Sequence, residues 1–459
     1  MVDVTSLTVR ELRRKIASRQ LSPVEVVDAY LAKIHAQDAK YHAFTDVYED
    51  EARQDAERAL MTRGGWRGPL YGLPIVVKDL FHIAGRNTAA GSWHWRHRVS
   101  QSTAGAIADL QRSGAIVLGK THTVELGLGT TGTNQHFGTP RNPWMDGAHY
   151  APGGSSSGSA VAVAAGLSPW AVGTDTGGSI RIPAAWCGVV GLKPTVGRVS
   201  LDGVVPLSAT LDSVGMIART VEDVALLYRA MRRGRITPTK TAFRVGCLPE
   251  CEREPVEPSV LKAYDDALGV FSDVGIPVLD VKFPKRLTYY IERNSTIAMF
   301  EAAVRYGRLA HDPEVPLDER VRGCLQAGSQ MAREDYDAAL WELPLLRAQF
   351  DRLFDRVDAI VTPTTQTVAR PVDGVDDANP PNLFTRFVNL LGLCALALPC
   401  GFSLEGLPCS IQIICRAQNE ETMLRIAAMY QRATPWHRCR PGHSQPTEAR
   451  QACGSYERP

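Results

Sequence analysis

Two Gly-Gly-Ser turns stand close together in the middle of this chain. The first lies in Tyr150-Ala-Pro-Gly-Gly-Ser-Ser-Ser-Gly-Ser159, the second in Trp170-Ala-Val-Gly-Thr-Asp-Thr-Gly-Gly-Ser-Ile-Arg-Ile-Pro183. Paired glycines let backbone N–H groups converge on one point with no Cβ in the way. Each turn is expected to open a helix, at Ser155 and at Ser179. A helix N-terminus adds free N–H donors and the positive end of a dipole. That geometry suits an anion, including the oxyanion of an acyl-transfer intermediate. A serine at such a turn is therefore a candidate nucleophile, provided a base takes its proton. Leu73-Pro-Ile-Val-Val-Lys-Asp79 reads as an apolar strand with Lys78 at its end. Burial there would lower the lysine pKa from about 10.4 to roughly 7–8, at a cost of about 4 kcal/mol, and make it a usable base.

Plainer readings compete. Serine is a favoured helix N-cap, which alone would explain both Ser155 and Ser179. Gly114-Ala-Ile-Val-Leu-Gly-Lys-Thr121 fits the phosphate-loop pattern, but its four variable positions are themselves an apolar strand, so the match reads as accidental. Gly154-Ser-Ser-Ser-Gly158 fits G-x-S-x-G with Ser156 central. That elbow needs a preceding strand and a histidine. Tyr150-Ala-Pro-Gly153 is a poor strand, and His437 and His443 sit in a polar C-terminal stretch. His94-Trp-Arg-His97 lacks the companions of a metal motif, so no metal site is expected.

Lys78, Gly153-Gly-Ser-Ser156 and Gly173-Thr-Asp-Thr-Gly-Gly-Ser-Ile-Arg181 together resemble the Ser–cis-Ser–Lys machinery of the amidase signature family, with Ser155 and Ser179 at the family's spacing of 24 residues. The resemblance continues through Cys187-Gly-Val-Val-Gly-Leu-Lys-Pro-Thr195, Gly197-Arg-Val-Ser200, Thr210-Leu-Asp212, Asp358-Ala-Ile-Val-Thr-Pro-Thr364 and Leu398-Pro-Cys-Gly-Phe402, and so covers nearly the whole chain. It implies an amidase without cofactor, with Ser179 as nucleophile and Ser155, after a cis peptide from Gly154, as the proton bridge to Lys78. It further implies an oxyanion hole from the backbone of Thr176, Gly177, Gly178 and Ser179, with Ser156, Asp175 and Arg181 in support. The segment Leu126-Gly-Leu-Gly-Thr-Thr-Gly-Thr-Asn134 is expected beside the nucleophile, with Gly127, Gly129, Thr130 and Thr131 lining the substrate pocket. Glutaminase subunits of this family carry an Asp where this chain aligns Asn382, and an arginine-rich helix where it has Val321-Arg-Gly-Cys-Leu325. Both departures favour a stand-alone hydrolase of a small, fairly apolar or aryl amide, with carbamate and ester cleavage open. A non-catalytic binding protein on the same fold would be marked by loss of Lys78, Ser155 or Ser179, and all three are present.

The elements that must position these groups can be read outward from them. Thr8-Val-Arg-Glu11 and Ser22-Pro-Val-Glu25 are capping boxes. They start helices over 9–19 and 23–37, and a third covers 47–62. Residues 1–65 thus form an N-terminal helical layer before an α/β domain over 66–441. Beyond the Lys78 strand, helices are expected over 103–113, 159–165, 220–231, 259–273, 289–310, 317–327, 332–357 and 419–432. Strands are expected over 115–118, 170–173, 188–192, 243–247, 276–281, 358–362, 395–399 and 409–414. This alternation argues for a large mixed, mostly parallel twisted sheet covered by helices on both faces. Residues 232–357 form a variable substrate-side region. There Phe300, Tyr306 and Trp341 are candidate pocket aromatics, against the ordinary reading of such residues as core. Residues 442–459 read as a disordered tail.

Composition sets the outer bounds. The chain has 459 residues, 44% hydrophobic and 22% charged, which is ordinary for a soluble globular protein. A net charge of +2 gives no electrostatic case for nucleic acid. The N-terminus has no signal-peptide core, and no apolar run is long enough to span a membrane. Ten dispersed cysteines suit a reducing compartment, so a cytoplasmic monomer or homodimer acting on a small-molecule amide is expected, with Cys394, Cys400, Cys409 and Cys415 as core residues.

Overall fold

The computed structural model describes residues 3–61, 68–236, 240–376 and 379–442. The tail expected after 441 lies almost wholly outside them. The chain opens with α1 (Val9–Ala17) and α2 (Pro23–Tyr41), and both capping boxes form. Thr8 and Ser22 hydroxyls accept from the N–H of Glu11 and Glu25 at 3.2 and 3.1 Å, and the two carboxylates accept back at 2.8 and 2.7 Å. Then come β1 (Phe44–Val47), α3 (Glu49–Met61), β2 (Leu73–Lys78), α4 (Gly105–Arg112) and β3 (Ala115–Thr121). The centre holds α5 (Ser157–Ala164), β4 (Trp170–Asp175), α6 (Arg181–Trp186), β5 (Val190–Lys193), β6 (Ser213–Ala218) and α7 (Val221–Met231). Next are β7 (Val245–Cys247), α8 (Pro258–Asp273), β8 (Val278–Asp280), and the three helices α9 (Leu287–His311), α10 (Glu319–Ser329) and α11 (Arg333–Asp351). The last elements are β9 (Ala359–Pro363), α12 (Arg386–Leu390), β10 (Cys394–Phe402), β11 (Pro408–Cys415) and α13 (Glu420–Arg432).

The strands form one mixed sheet in the order β1-β3-β2-β4-β6-β5-β10-β11-β9-β7-β8. Every residue of β2, β3, β4, β5, β6, β9 and β11 is buried. Alternating side chains can all be buried only if both faces are covered, so the central strands are apolar along most of their length, with a few buried polar groups such as Lys78, Lys120 and Asp175. The expected predominance of parallel pairing does not hold. Six strand pairings among the described residues are antiparallel and four parallel. Parallel pairs arise where a helix carries the chain back, as α4 does between β2 and β3 and α8 between β7 and β8. Shorter returns, such as that from β10 to β11, give antiparallel ladders.

The pairing of β2, β4 and β6 decides where the chemistry sits. β2 runs parallel to β4, which pairs along its whole length with β6. Lys78 ends β2 and Asp175 ends β4, so both emerge at the same edge of the sheet. The segment that fits the phosphate-loop pattern is β3 itself: Lys120 is buried in an ion pair with Asp79 at 2.9 Å, and the match is accidental. Cys394, Cys400, Cys409 and Cys415 are buried, with free thiols. Among the described residues no helix is long and apolar enough to cross a membrane.

Candidate active site

Lys78 is wholly buried at the end of β2. Its Nζ lies 2.7 Å from Ser155 Oγ and 2.9 Å from Thr174 Oγ1. Loss of solvation drives its pKa down to about 7, against the opposing pull of the Asp175 and Asp212 carboxylates. This is the shift expected for a lysine at the end of an apolar strand. No ion pair touches it among the described residues, so near neutrality a large share of the amine is uncharged.

The turn bearing Ser155 contains a cis Gly154–Ser155 peptide. The helix it opens begins two residues later than expected, at Ser157, and the helix after Ser179 begins at Arg181 and has only six residues. The second turn is tied to the first by the Ser156 N–H, which donates to Ser179 O at 3.1 Å. Ser156 Oγ is buried and donates to Thr174 O at 3.3 Å, so Ser156 holds the two turns together. It packs on Gly173, where any Cβ would come within 2.6 Å of that oxygen. The G-x-S-x-G reading fails on this burial, and His437 lines a different cavity with Arg10, Glu11 and Gln431; His443 lies outside the described residues.

Ser179 lines a cavity of about 140 Å³ together with Gly127, Leu128, Gly129, Thr130, Thr176 and Gly177. Six of the expected residues, Gly127, Gly129, Thr130, Thr176, Gly177 and Ser179, thus line one cavity. Thr131 does not face this cavity. It is buried behind it and accepts from Arg320 Nη1 at 3.2 Å. The structure also differs from the expected relay at one link. No hydrogen bond joins Ser179 Oγ to Ser155 Oγ; the Ser179 side chain faces the cavity, while Ser155 turns to Lys78.

The oxyanion donors need a second correction. The Gly178 N–H is already taken by Asp175 Oδ1 at 2.8 Å. The N–H groups of Thr176, Gly177 and Ser179 have no acceptor among the described residues. Gly178 has φ +128°, and a Cβ there would collide with Thr385 Oγ1, so only glycine lets this loop close. Asp175 is the hub. It accepts from Gly178 and Ile180 N–H, from Arg181 through both carboxylate oxygens, and from Asn389 Nδ2 at 2.9 Å. Burial alone would raise its pKa, but Arg181 and these donors hold it well below the carboxylate range. Asp175 and Arg181 therefore tie the loop to α12 through this network.

Several groups escaped the sequence reading. Thr174 shares Lys78 with Ser155. Asp212 accepts from Thr176 Oγ1 at 2.5 Å and from the N–H of Leu207 and Ser208, while burial lifts its pKa to about 6. Asn389 was legible in principle, since a lone amide in the apolar run Phe387-Val-Asn-Leu-Leu391 must find buried partners. The far wall comes from α9 and α10, within the stretch expected to supply it, but its residues are Asn294, Ser295, Ala298, Met299, Arg320 and Cys324. The three candidate aromatics are elsewhere. Phe300 stacks on Tyr336, Tyr306 packs edge-on against Trp95, and Trp341 is 85% exposed.

Known proteins share both this sequence and this fold. The sequence profile of the family named Amidase matches residues 25–424. Among characterised relatives, a glutamyl-tRNA(Gln) amidotransferase subunit of Roseiflexus sp. (strain RS-1) is 35% identical, over 94% of this chain and 97% of its own. A crystal structure of an amidase superposes with a TM-score of 0.86 at 32% identity, covering 93% of this chain and 99% of that one. A peptide amidase in complex with the competitive inhibitor chymostatin superposes with a TM-score of 0.83 at 28% identity, covering 95% and 99%. A match of this length, on a fold shared almost end to end, has one meaning: the chain belongs to the amidase family.

Proposed function

We propose that this enzyme hydrolyses the C–N bond of a small-molecule amide through an acyl-enzyme on Ser179. The observation that carries the reading is the buried amine of Lys78, 2.7 Å from Ser155 Oγ with its pKa near 7. A neutral amine in that position can accept a proton, and Ser155 lies between it and the cavity that Ser179 faces. Ser179 Oγ attacks the carbonyl carbon as its proton passes to Ser155 and that of Ser155 passes to Lys78. The carbonyl π electrons move to oxygen, and the unengaged N–H groups of Thr176, Gly177 and Ser179 are the donors available for that charge. Collapse expels the amine, which takes a proton back along the relay. Water then attacks the ester by the same route. The Ser179–Ser155 hydrogen bond is the one contact still to form, and catalytic hydrogen bonds commonly tighten only in the Michaelis complex.

Intact mass after exposure to a fluorophosphonate tests the assignment. The expected result is a single adduct mapping to Ser179; an adduct elsewhere, or none, refutes it. The pH profile is a second check. Lys78 must be neutral to act, so kcat/KM should rise with pH through an apparent pKa near 7 and fall below it. A flat profile between pH 5 and 9 would remove the lysine from the mechanism. Carbamates and esters pass through the same acyl-enzyme, so a panel of anilides, primary amides, carbamates and glutamine ranks the substrate class. The amidotransferase reading has the 35% identity in its favour. Against it, no Asp or Glu among the described residues lines the cavity to hold the ammonium of glutamine.

A further inference from the structure

The cavity that Ser179 faces is lined by the apolar Leu128, Leu207, Ala298 and Met299 and by the basic Arg320 and Arg386. Arg386 stands at the start of α12. It packs against Gly177, whose Cβ position is 3.4 Å from Arg386 Cγ, so the guanidinium stem borders the loop of unengaged N–H groups. Its partners are neutral. Nη1 donates to Ser295 Oγ. With the Asn382 amide oriented so that its oxygen faces the guanidinium, that oxygen accepts from Nε at 2.9 Å and from Nη2 at 3.1 Å. Among the described residues no carboxylate pairs with Arg386, although loss of solvation pulls its pKa down to about 10.

A second, independent observation concerns Asn294. It is 1% exposed, lines the same cavity, and its Nδ2 has no acceptor among the described residues. A buried amide N–H₂ without an acceptor costs about 1–3 kcal/mol unless a ligand supplies one. An arginine matched only by neutral groups and an amide donor without an acceptor ask for the same thing, a ligand oxygen carrying negative charge.

We propose that Arg386 and Asn294 form an anion subsite, and that the substrate is an amide bearing a carboxylate elsewhere on the same small molecule but no ammonium group. The inference deepens the amide-hydrolase reading and rests on it. It replaces the fairly apolar amide expected from sequence. It also separates this cavity from one built for a zwitterionic amino acid, because no acidic side chain among the described residues lines it.

The test compares glutaramate, neutral butyramide and L-glutamine in the wild-type enzyme and in Arg386→Met, Arg386→Lys and Asn294→Ala. Glutaramate should exceed both other substrates in kcat/KM by at least about tenfold, as expected when a site's polar groups are left unpaired by the wrong substrate. Arg386→Met should shrink the glutaramate-to-butyramide ratio by about tenfold or more, mainly through KM, and Arg386→Lys should restore part of it. An arginine that only braces the fold would lower both substrates together and leave the ratio unchanged, which would overturn the subsite, as would preference for butyramide or glutamine. A wild-type measurement avoids dependence on variant folding: millimolar glutarate should slow fluorophosphonate labelling of Ser179. Labelling that glutarate does not slow rejects the subsite and leaves the hydrolase standing. Absence of labelling in the free enzyme rejects the hydrolase reading and the subsite with it.

Discussion

Ser179→Ala is expected to lower amide turnover by roughly 10³- to 10⁶-fold, and Lys78→Met by nearly as much, while the double variant is scarcely worse than either. The lack of additivity follows from the relay. With Ser179 gone there is no nucleophile for Lys78 to activate. With Lys78 gone the proton of Ser179 has no acceptor beyond Ser155. Full additivity in kcat would mean that the two act separately and would break the proposed mechanism.

Lys78→Met carries a further consequence that a damaged fold cannot imitate. A lysine held near pKa 7 against an ordinary 10.5 opposes folding by an amount on the order of 4–5 kcal/mol. The sign follows from proton uptake. Between the two values the unfolded chain binds the extra proton, so the penalty is full below about pH 7 and fades as pH climbs toward 10.5. Methionine fills nearly the same space without charge. It does strand the hydroxyls of Ser155 and Thr174, at about 1 kcal/mol or more each. The expected net is an inactive protein more stable than its parent by about 1–2 kcal/mol at pH 6, the gain shrinking by pH 10. Denaturant unfolding at the two pH values measures it. A variant less stable at pH 6 would show that the amine is not desolvated as described.

Lys78 and the two Gly-Gly-Ser turns were legible because their signals are local. A lysine closing an apolar strand and a serine after paired glycines need no distant partner to be recognised. The same holds for α1 and α2, whose capping boxes bound them, and for most later helices. What escaped depends on contacts between remote segments. β6 is a six-residue run, Ser-Val-Gly-Met-Ile-Ala, buried on both faces and so without alternation to betray it. β1 has four residues, two of them exposed. α12 has five, far too few for a helical period. Arg386 reaches Gly177 across more than two hundred positions, and no spacing rule connects them. The Gly178 N–H looked free because its captor, Asp175, lies only three residues away, across a turn whose course the sequence does not dictate.

That capture makes Arg181→Met the substitution with the largest expected effect on the fold. Arg181 and Asp175 are both wholly buried and pair at 3.0 Å. The guanidinium also donates to Gln412 Oε1 on β11 and, at α12, to Thr385 O and Asn389 Oδ1, joining two distant segments to its own loop. Removing it leaves Asp175 ionised in a dry interior, which costs about 3–5 kcal/mol. In the parent, Arg181 keeps Asp175 ionised far below the ordinary carboxylate range, and its contribution is lost only as pH falls through the folded-state pKa. Without Arg181 burial raises the carboxyl instead, so acid should relieve part of the loss by protonating it. Arg181→Met/Asp175→Asn removes both charges and should recover part of the loss, since neighbours in one network do not add. The recovered protein should still be slow. An asparagine at 175 can offer one oxygen where the carboxylate engages the N–H of Gly178 and Ile180 through two, so the loop carrying Gly177 and Ser179 is held less firmly. Denaturant midpoints for the two variants, with fluorophosphonate labelling rates of Ser179, separate the two effects. If the double variant were no more stable than Arg181→Met, the isolated charge would not be the source of the damage. If it labelled at the parental rate, Asp175 would have no part in presenting Ser179.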